Sequence, residues 1–357
     1  MTKNILRIVG VFCILIVFAV FAYSAPTPLR LKMATAYSAD AVETKGLYYF
    51  KDLVEERTEG KVIVEVYTNG VLGNEEQLAT GIQMGTVDGI IIPSFKYSTY
   101  LPEMDFLNLP FLFSGEEHWR AAILGPVGEK FVDLSYQRRG DLLLGFMTGG
   151  PRNIFSRKEI MGWAGFKGIK IRVMTVPSEL SVWKALGVKP RAVANYDLTA
   201  ALQTGLVDAA ENNFLNIKRM KYYEPPSQYI LRTEHQITPV LFLLGQTAYR
   251  KIPEEFRESV VACGGEAAMW QVDQSFEENK IVEKELINRY WVRVTELTYD
   301  EKIAWREKAA SIHQRIAKSL GLKDTLKTVN SLVPPKPVDE RSQKDKESKK
   351  ERKEKHD

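Results

Sequence analysis

The sequence predicts an α/β protein with a mostly parallel sheet, helices on both of its faces, and two lobes. Three observations carry this prediction. First, segments with every second residue apolar alternate with segments at helical spacing, the order that builds parallel sheets from strand–helix–strand units. Second, the stretch from Gly165 to Asn213 holds such a unit complete. Ile169, Ile171 and Val173 alternate with Lys170 and Arg172 as a strand, and Leu180, Trp183 and Leu186 then carry helical spacing up to Gly187. A second helix, roughly Asp197 to Thr204, closes at Gly205, and Leu206 to Glu211 runs into Asn212 and Asn213. Third, Gln83-Met84-Gly85-Thr86-Val87-Asp88 echoes Gln203-Thr204-Gly205-Leu206-Val207-Asp208. Each comprises a helix end, a glycine suited to the left-handed cap, and Val-Asp entering a strand. The echo has two readings: two similar lobes sharing a cleft, or common helix-stop chemistry used twice by chance.

Taken in order, the chain opens on a targeting pattern. Lys3 and Arg7 precede an apolar run from Ile8 to Phe21, and Ala22-Tyr23-Ser24 supplies small residues for a signal peptidase. Cleavage after Ser24 is expected, so residues 1–24 form a signal peptide and the protein is exported to the periplasm. The competing reading is an uncleaved anchor, for which the run is short. After cleavage only Cys263 remains, which excludes an internal disulfide and suits a place in the helical core.

Leu29, Leu31 and Met33 alternate as a first strand ending at Ala36-Tyr37. Leu47, Tyr48, Phe50, Leu53 and Val54 then form the apolar side of a helix stopped by Gly60. Val62, Val64 and Val66 make the next strand. Asn69-Gly70 marks a turn, a helix spans roughly Glu75 to Met84, and Asp88 to Ile92 is an apolar strand ending at Pro93-Ser94. Leu101 to Phe113, rich in Pro, Phe and Leu, reads as an irregular buried segment. Leu142 to Phe146 is a buried strand followed by Gly149-Gly150-Pro151-Arg152, and Tyr229-Ile230 and Val240 to Leu244 are strands returning between lobes. Pro253 opens a helical pattern to about Tyr290, roughly 55 Å long, with Gly264-Gly265 as a place to kink. Another helix covers Tyr299 to Leu320. Residues 335–357 hold almost no apolar residue, alternate in charge and are expected to be a disordered tail.

In open α/β sheets the ligand sits beyond the carboxyl ends of the strands. Arg172 and Asn212 are placed there, and Arg152 follows the end of the Leu142–Phe146 strand. An arginine fork and a carboxamide at two strand ends suit a small carboxylate. Other chemistry is missing from the sequence. The net charge of +4 is small and no basic stripe interleaves with aromatics, which argues against nucleic acid. The four histidines share no metal-ligand spacing, and His235 reads as structural. No G-x-S-x-G elbow, P-loop or dinucleotide fingerprint occurs. These residues describe a binding protein, not an enzyme, with no cofactor.

Five segments in this order carry a family resemblance: Phe50 to Val62, Gly70 to Glu75, Leu109 to Phe113, Lys167 to Val173, and Ala201 to Asn212. Over about residues 29 to 320 the chain resembles the DctP-type solute-binding proteins of tripartite ATP-independent periplasmic (TRAP) transporters. The resemblance implies a two-lobed periplasmic-binding-protein-like fold, with a long helix crossing both lobes. One lobe would comprise residues 25–149 plus about 239–277, the other 150–238 plus about 278–330. It implies a small organic acid enclosed by lobe closure and handed to a small and a large membrane subunit by a monomeric carrier. Arg172 matches the family arginine that pairs with the ligand carboxylate, Arg152 a second arginine, and Asn212 the asparagine of a Glu-Asn-Pro ending in which Asn213 here replaces proline. Tyr37, Glu75, Ser94 and Asn195 lie at matching strand or helix ends. The rival functions are a binding protein for an ABC transporter or sensor, and an enzyme of the same lobed shape.

Overall fold

The structure is a computed structural model that describes residues 27–174, 176–194 and 197–336. The expected signal peptide, Asn195 and residues 337–357 of the charged tail lie outside the described residues.

The first lobe begins with β1 (Leu29–Ala34), α1 (Val42–Arg57), β2 (Val62–Tyr67), α2 (Glu75–Met84) and β3 (Gly89–Pro93). The short α3 (Ser94–Tyr97), a 3-10 segment Pro102–Asn108, α4 (Glu116–Ile123) and α5 (Pro126–Arg139) follow. Then come β4 (Leu142–Ser156), α6 (Gly162–Phe166), β5 (Lys170–Val173), α7 (Pro177–Ala185), β6 (Lys189–Ala192), α8 (Leu198–Thr204), β7 (Ala209–Asn213) and α9 (Phe214–Arg219). The chain finishes with β8 (Tyr229–Leu244), α10 (Gln246–Lys251), α11 (Glu254–Tyr290), β9 (Arg293–Glu296), α12 (Tyr299–Ser319) and α13 (Lys323–Ser331).

Eight strands run β2-β1-β3-β8-β4-β7-β5-β6 through one sheet, and β9 pairs with β8. Within each flank the strands are parallel, β1 with β2 and β3, β5 with β6 and β7. The antiparallel pair β4 and β8, 15 and 16 residues long, passes through the middle and belongs to both lobes. The sequence echo is a repeat of geometry. Gly85 and Gly205 both cap their helices in the left-handed conformation, at φ 72° and 73°. Asp88 Oδ2 accepts from Lys32 N at 2.8 Å while Asp88 N donates to Lys32 O at 2.9 Å. Asp208 makes the same pair with Lys170, at 3.0 and 2.7 Å. Two lobes built alike place β3 and β7 at equivalent positions.

Three elements differ from the sequence expectation. β4 does not stop at Phe146 but continues to Ser156, so Arg152 lies within a strand and not past its end. The Gly-Gly-Pro run, which reads as a loop, is absorbed by register shifts between Thr148 and Pro151 and between Arg152 and Ile154. β8 is one strand across the stretch between Tyr229-Ile230 and Val240. β6 carries no alternation because it is a mostly exposed edge paired to β5 alone.

Helix α11 locks the crossing pair. Gln271 Nε2 donates to Thr148 O at 2.8 Å, and Gln271 Oε1 accepts from Thr148 N at 3.0 Å, replacing a ladder pair that β4 would otherwise need. Two turns on, Asn279 Nδ2 donates to Gly149 O at 2.9 Å and its Oδ1 accepts from Phe214 N at 3.0 Å. The glycine at 264 serves a close approach, since a Cβ there would fall 2.6 Å from Leu144 Cδ1. Beneath the crossing, Phe111, Phe166, Trp183 and Trp305 pack with ring centroids 4.9–5.9 Å apart.

Candidate functional site

The charged residues of the interior converge where β4, β5, β7 and α7 meet. Arg152 and Glu211 face each other because β4 and β7 pair with Ile154 opposite Glu211. The Arg152 Nε donates to Glu211 Oε2, its Nη2 to Glu211 Oε1 at 2.8 Å and to the Glu211 carbonyl at 3.1 Å. Both side chains are buried, and such a fork-to-fork pair answers both charges at once. Burial works against the Glu211 carboxylate, but the Arg152 guanidinium outweighs it and holds the pKa down at about 2. His235, from β8, sets its Nε2 3.6 Å from Glu211 Oε2 and pairs its Nδ1 with Thr233 Oγ1 at 2.7 Å. Burial lowers its pKa and keeps the ring neutral.

Arg172 is placed differently. It ends β5 almost fully buried, and its Nε donates to the Val193 carbonyl at 2.9 Å. Its two terminal nitrogens donate to no described residue. Burial depresses its pKa, Arg152 works in the same direction, and Glu211, Glu179 and Tyr222 oppose them. Among the described residues this is a desolvated cation with part of its hydrogen-bonding capacity unspent.

Asn212 lies beside the pair at the end of β7. Its Oδ1 accepts from Asn213 N at 3.0 Å and from Asn216 Nδ2 at 3.3 Å, which leaves its Nδ2 without an acceptor among the described residues. Asn216 in turn accepts from Arg219 Nη2 at 2.7 Å, and Arg219 Nη1 reaches across to Ser38 Oγ at 2.6 Å. A polar chain thus runs from Asn212 to the opposite lobe. Tyr37 enters from that lobe. Its hydroxyl is raised by burial and by Glu43 and Glu75, while Arg152 and Arg219 act against this, which puts it within the field of the site. Glu75 starts α2, where Asn74 and Gln77 form a reciprocal cap at 2.9 Å each. Ser94 is fully buried and spends its hydroxyl on Asn108 Oδ1 at 3.0 Å, so the structure ties it to the 3-10 segment instead of the arginines. Asn195 is not described.

The sequence assigns no role in the site to Glu211, Glu43 or Glu179, and reads His235 as structural. Glu179, on α7, has no exposed surface, and neither of its carboxyl oxygens accepts a hydrogen bond. A carboxylate two residues into a helix after Pro177 looks like a first-turn dipole partner, which hid it. Among the described residues no group of His, Cys, Asp and Glu is arranged to hold a metal ion.

Comparison with known proteins places this geometry. The family model DctP, described as bacterial extracellular solute-binding protein, family 7, matches residues 33–320. The chain belongs to that family. DctP proteins are solute-binding proteins, not enzymes. A solute-binding protein of Sulfitobacter sp. (strain NAS-14.1) is 26% identical over 312 residues, 87% of this chain and 94% of that protein. A crystal structure of a TRAP periplasmic solute-binding protein from Sulfitobacter sp. NAS-14.1, with bound α-D-taluronate, superimposes with a TM-score of 0.75 at 25% identity, covering 85% of this chain and 97% of that one. The sugar-acid-binding protein of Advenella mimigardefordensis, in complex with galactonate, gives 0.74 at 27% identity over 86% and 100%. The two-lobed TRAP binding-protein architecture and its long crossing helix, α11, are shared with these structures.

Proposed function

We propose that this DctP chain captures a small hydroxy acid of the sugar-acid class between its lobes and delivers it to a TRAP permease of a small and a large membrane subunit, acting as a monomer in the periplasm. The observation that carries the reading is the contrast between the two arginines. Arg152 commits its Nε and Nη2 to Glu211, whereas Arg172 donates from neither terminal nitrogen to a described residue, at a strand end where an α/β ligand belongs. A carboxylate docked there gains charge-assisted bonds in a dry site. Asn212 Nδ2 and the Tyr37 hydroxyl stand ready for the hydroxyls of the same ligand. The sugar acids held by two relatives set its class, since each combines one carboxylate with several hydroxyls.

Titration calorimetry with D-galactonate tests this. Arg172→Ala should weaken binding by roughly 2–5 kcal/mol, about thirtyfold or more. Arg172→Lys should recover only part of the loss, because an ammonium keeps the charge without the planar fork. Equal affinity for a folded Arg172→Ala protein and the unmutated one would show that the carboxylate docks elsewhere.

A further inference from the structure

Glu179 is the group in this cluster that the carboxylate reading leaves without a task. It sits on α7 directly after β5, wholly buried, with neither oxygen in hydrogen-bonding geometry with a donor; the indole N–H of Trp183, one turn along the helix, acts on it short of that geometry and is itself unpartnered. Its charged neighbours come from three strands: Glu211 on β7, Arg152 on β4 and Arg172 on β5. From β8 the neutral His235 ring lies 4.9 Å from the ring of Trp183, one turn along the same helix. The 3-10 segment presents Asp105, which accepts from Ser178 Oγ at 2.6 Å, and α12 contributes the uncharged Trp305 to the aromatic cluster.

The charge count of the site turns on Glu179. Among the charges that act on Glu179, Arg152 and Glu211 cancel as a bidentate pair and the neighbouring His235 is neutral, which leaves Arg172 and Glu179 itself. An ionised Glu179 would give Arg172 a built-in counter-charge, and an entering carboxylate would then make the site net negative. It would also be a buried carboxylate with no well-formed hydrogen bond, only the Trp183 N–H nearby, an arrangement more costly than a neutral acid in the same place. The neutral acid offers one O–H donor and one carbonyl acceptor, both unspent, which a ligand hydroxyl satisfies. We propose that Glu179 sets the charge of the ligand: it keeps its proton in the loaded site, so that the cluster carries one positive charge, accepts a singly charged hydroxy acid and turns away doubly charged ones. This rests on the carboxylate reading above and narrows it. Burial and the negative Glu211 push the Glu179 carboxyl up to about 8, against the pull of Arg152, Trp183 and Arg172. A bound anion nearby raises it further, so binding above that pH draws in a proton.

Two measurements test the proposal, the first without ligand. Melting temperatures of the unmutated protein and Glu179→Gln are compared from pH 5 to 9.5. An unfolded glutamate titrates near ~4.3, so between there and about 8 the folded state binds the extra proton. The unmutated protein should therefore lose several degrees relative to the variant as pH rises through that window, and the gap should level off above it. Parallel curves overturn the proposal, and so does a variant that does not fold, since a neutral group of the same shape should be accepted. The second measurement is calorimetry with D-galactonate and with galactarate, which carries a carboxylate at both ends of the same carbon chain. Galactonate should bind the unmutated protein at least about tenfold more tightly than galactarate. Its affinity should fall about tenfold between pH 7 and 9.5, one proton's linkage, while that of Glu179→Gln stays level with pH. Equal affinity for the two acids, or a level pH profile for the unmutated protein, overturns the proposal. Diverging melting curves with neither acid bound would sink the carboxylate reading while upholding the proton on Glu179.

Discussion

Arg152 and Arg172 share a site yet differ in what they have left to give, and the difference traces to register. Glu211 points at Arg152 because β7 pairs with β4 at a separation of 59 residues, a placement that no local pattern in the sequence encodes. Arg172 was legible because its own strand alternates and ends beside it. Asn212 is legible because the Gly205 helix stop and the short run after it place it at a strand end, although β7 is buried on both faces and does not alternate. Breaking the Arg152 pair should affect folding more than recognition. Glu211→Gln keeps the shape but leaves a buried guanidinium without counter-charge, and should destabilise the protein by about 3–5 kcal/mol in urea unfolding. The sign with pH is fixed too. Glu211 titrates near 2 in the folded protein and near ~4.3 unfolded. Its contribution is therefore complete above the unfolded value and is lost as pH falls towards the folded one. A Glu211→Gln protein as stable as the unmutated one would mean that the pair contributes only position.

Among the elements, the strand pair crossing between lobes is the hardest to read from sequence. Helix α2 falls at the expected residues because its cap and its stop are local: Asn74 and Gln77 at one end, Gly85 at the other. β4 reads short in the sequence because Gly149-Gly150-Pro151 signals a turn in isolation, whereas the strand runs to Ser156. In the fold those glycines lie under α11, and their lack of a side chain is what lets the helix come close. A Cβ at Gly150 would fall 2.2 Å from Asn279 Nδ2, and the residue holds φ at +93°. Gly150→Ala must both strain the backbone and displace the amide that accepts from Phe214 N and donates to Gly149 O. The expected cost is about 2–4 kcal/mol, read as a lowered denaturation midpoint at unchanged m-value. A loss under about 0.5 kcal/mol, the range of a surface substitution, would show that Asn279 does not lock the crossing strands.

At the scale of the molecule, two histidines staple the last helices onto the fold across more than 200 residues of chain. His118 on α4 accepts from Ser114 N through Nδ1 at 3.0 Å and donates from Nε2 to the Val329 carbonyl on α13 at 2.7 Å. His313 on α12 donates from Nε2 to the Pro110 carbonyl at 2.9 Å. Burial holds each ring neutral, with a pKa of about 4. Sequence reading had only their lack of metal spacing to go on, because a staple is defined by its distant carbonyl. The consequence is a pH dependence with a definite sign. An unfolded histidine titrates near ~6.5, so below that the unfolded chain binds protons the folded rings refuse. Stability is whole above pH 6.5 and should decline as pH falls towards 4.5, by on the order of 2–4 kcal/mol for the pair. Glu179 works in the opposite direction over the same window, so the absolute stability of one protein is a poor test. The useful comparison is with the double variant His118→Gln, His313→Gln, whose amides can donate to the same carbonyls without titrating. Every other group contributes equally to both proteins and cancels. Urea unfolding at pH 7.5, 6.5, 5.5 and 4.5 should show the unmutated protein losing ground on the variant below 6.5, whatever their difference at the start. A constant difference across the series would mean that both rings protonate in place and that neither staple depends on a neutral imidazole.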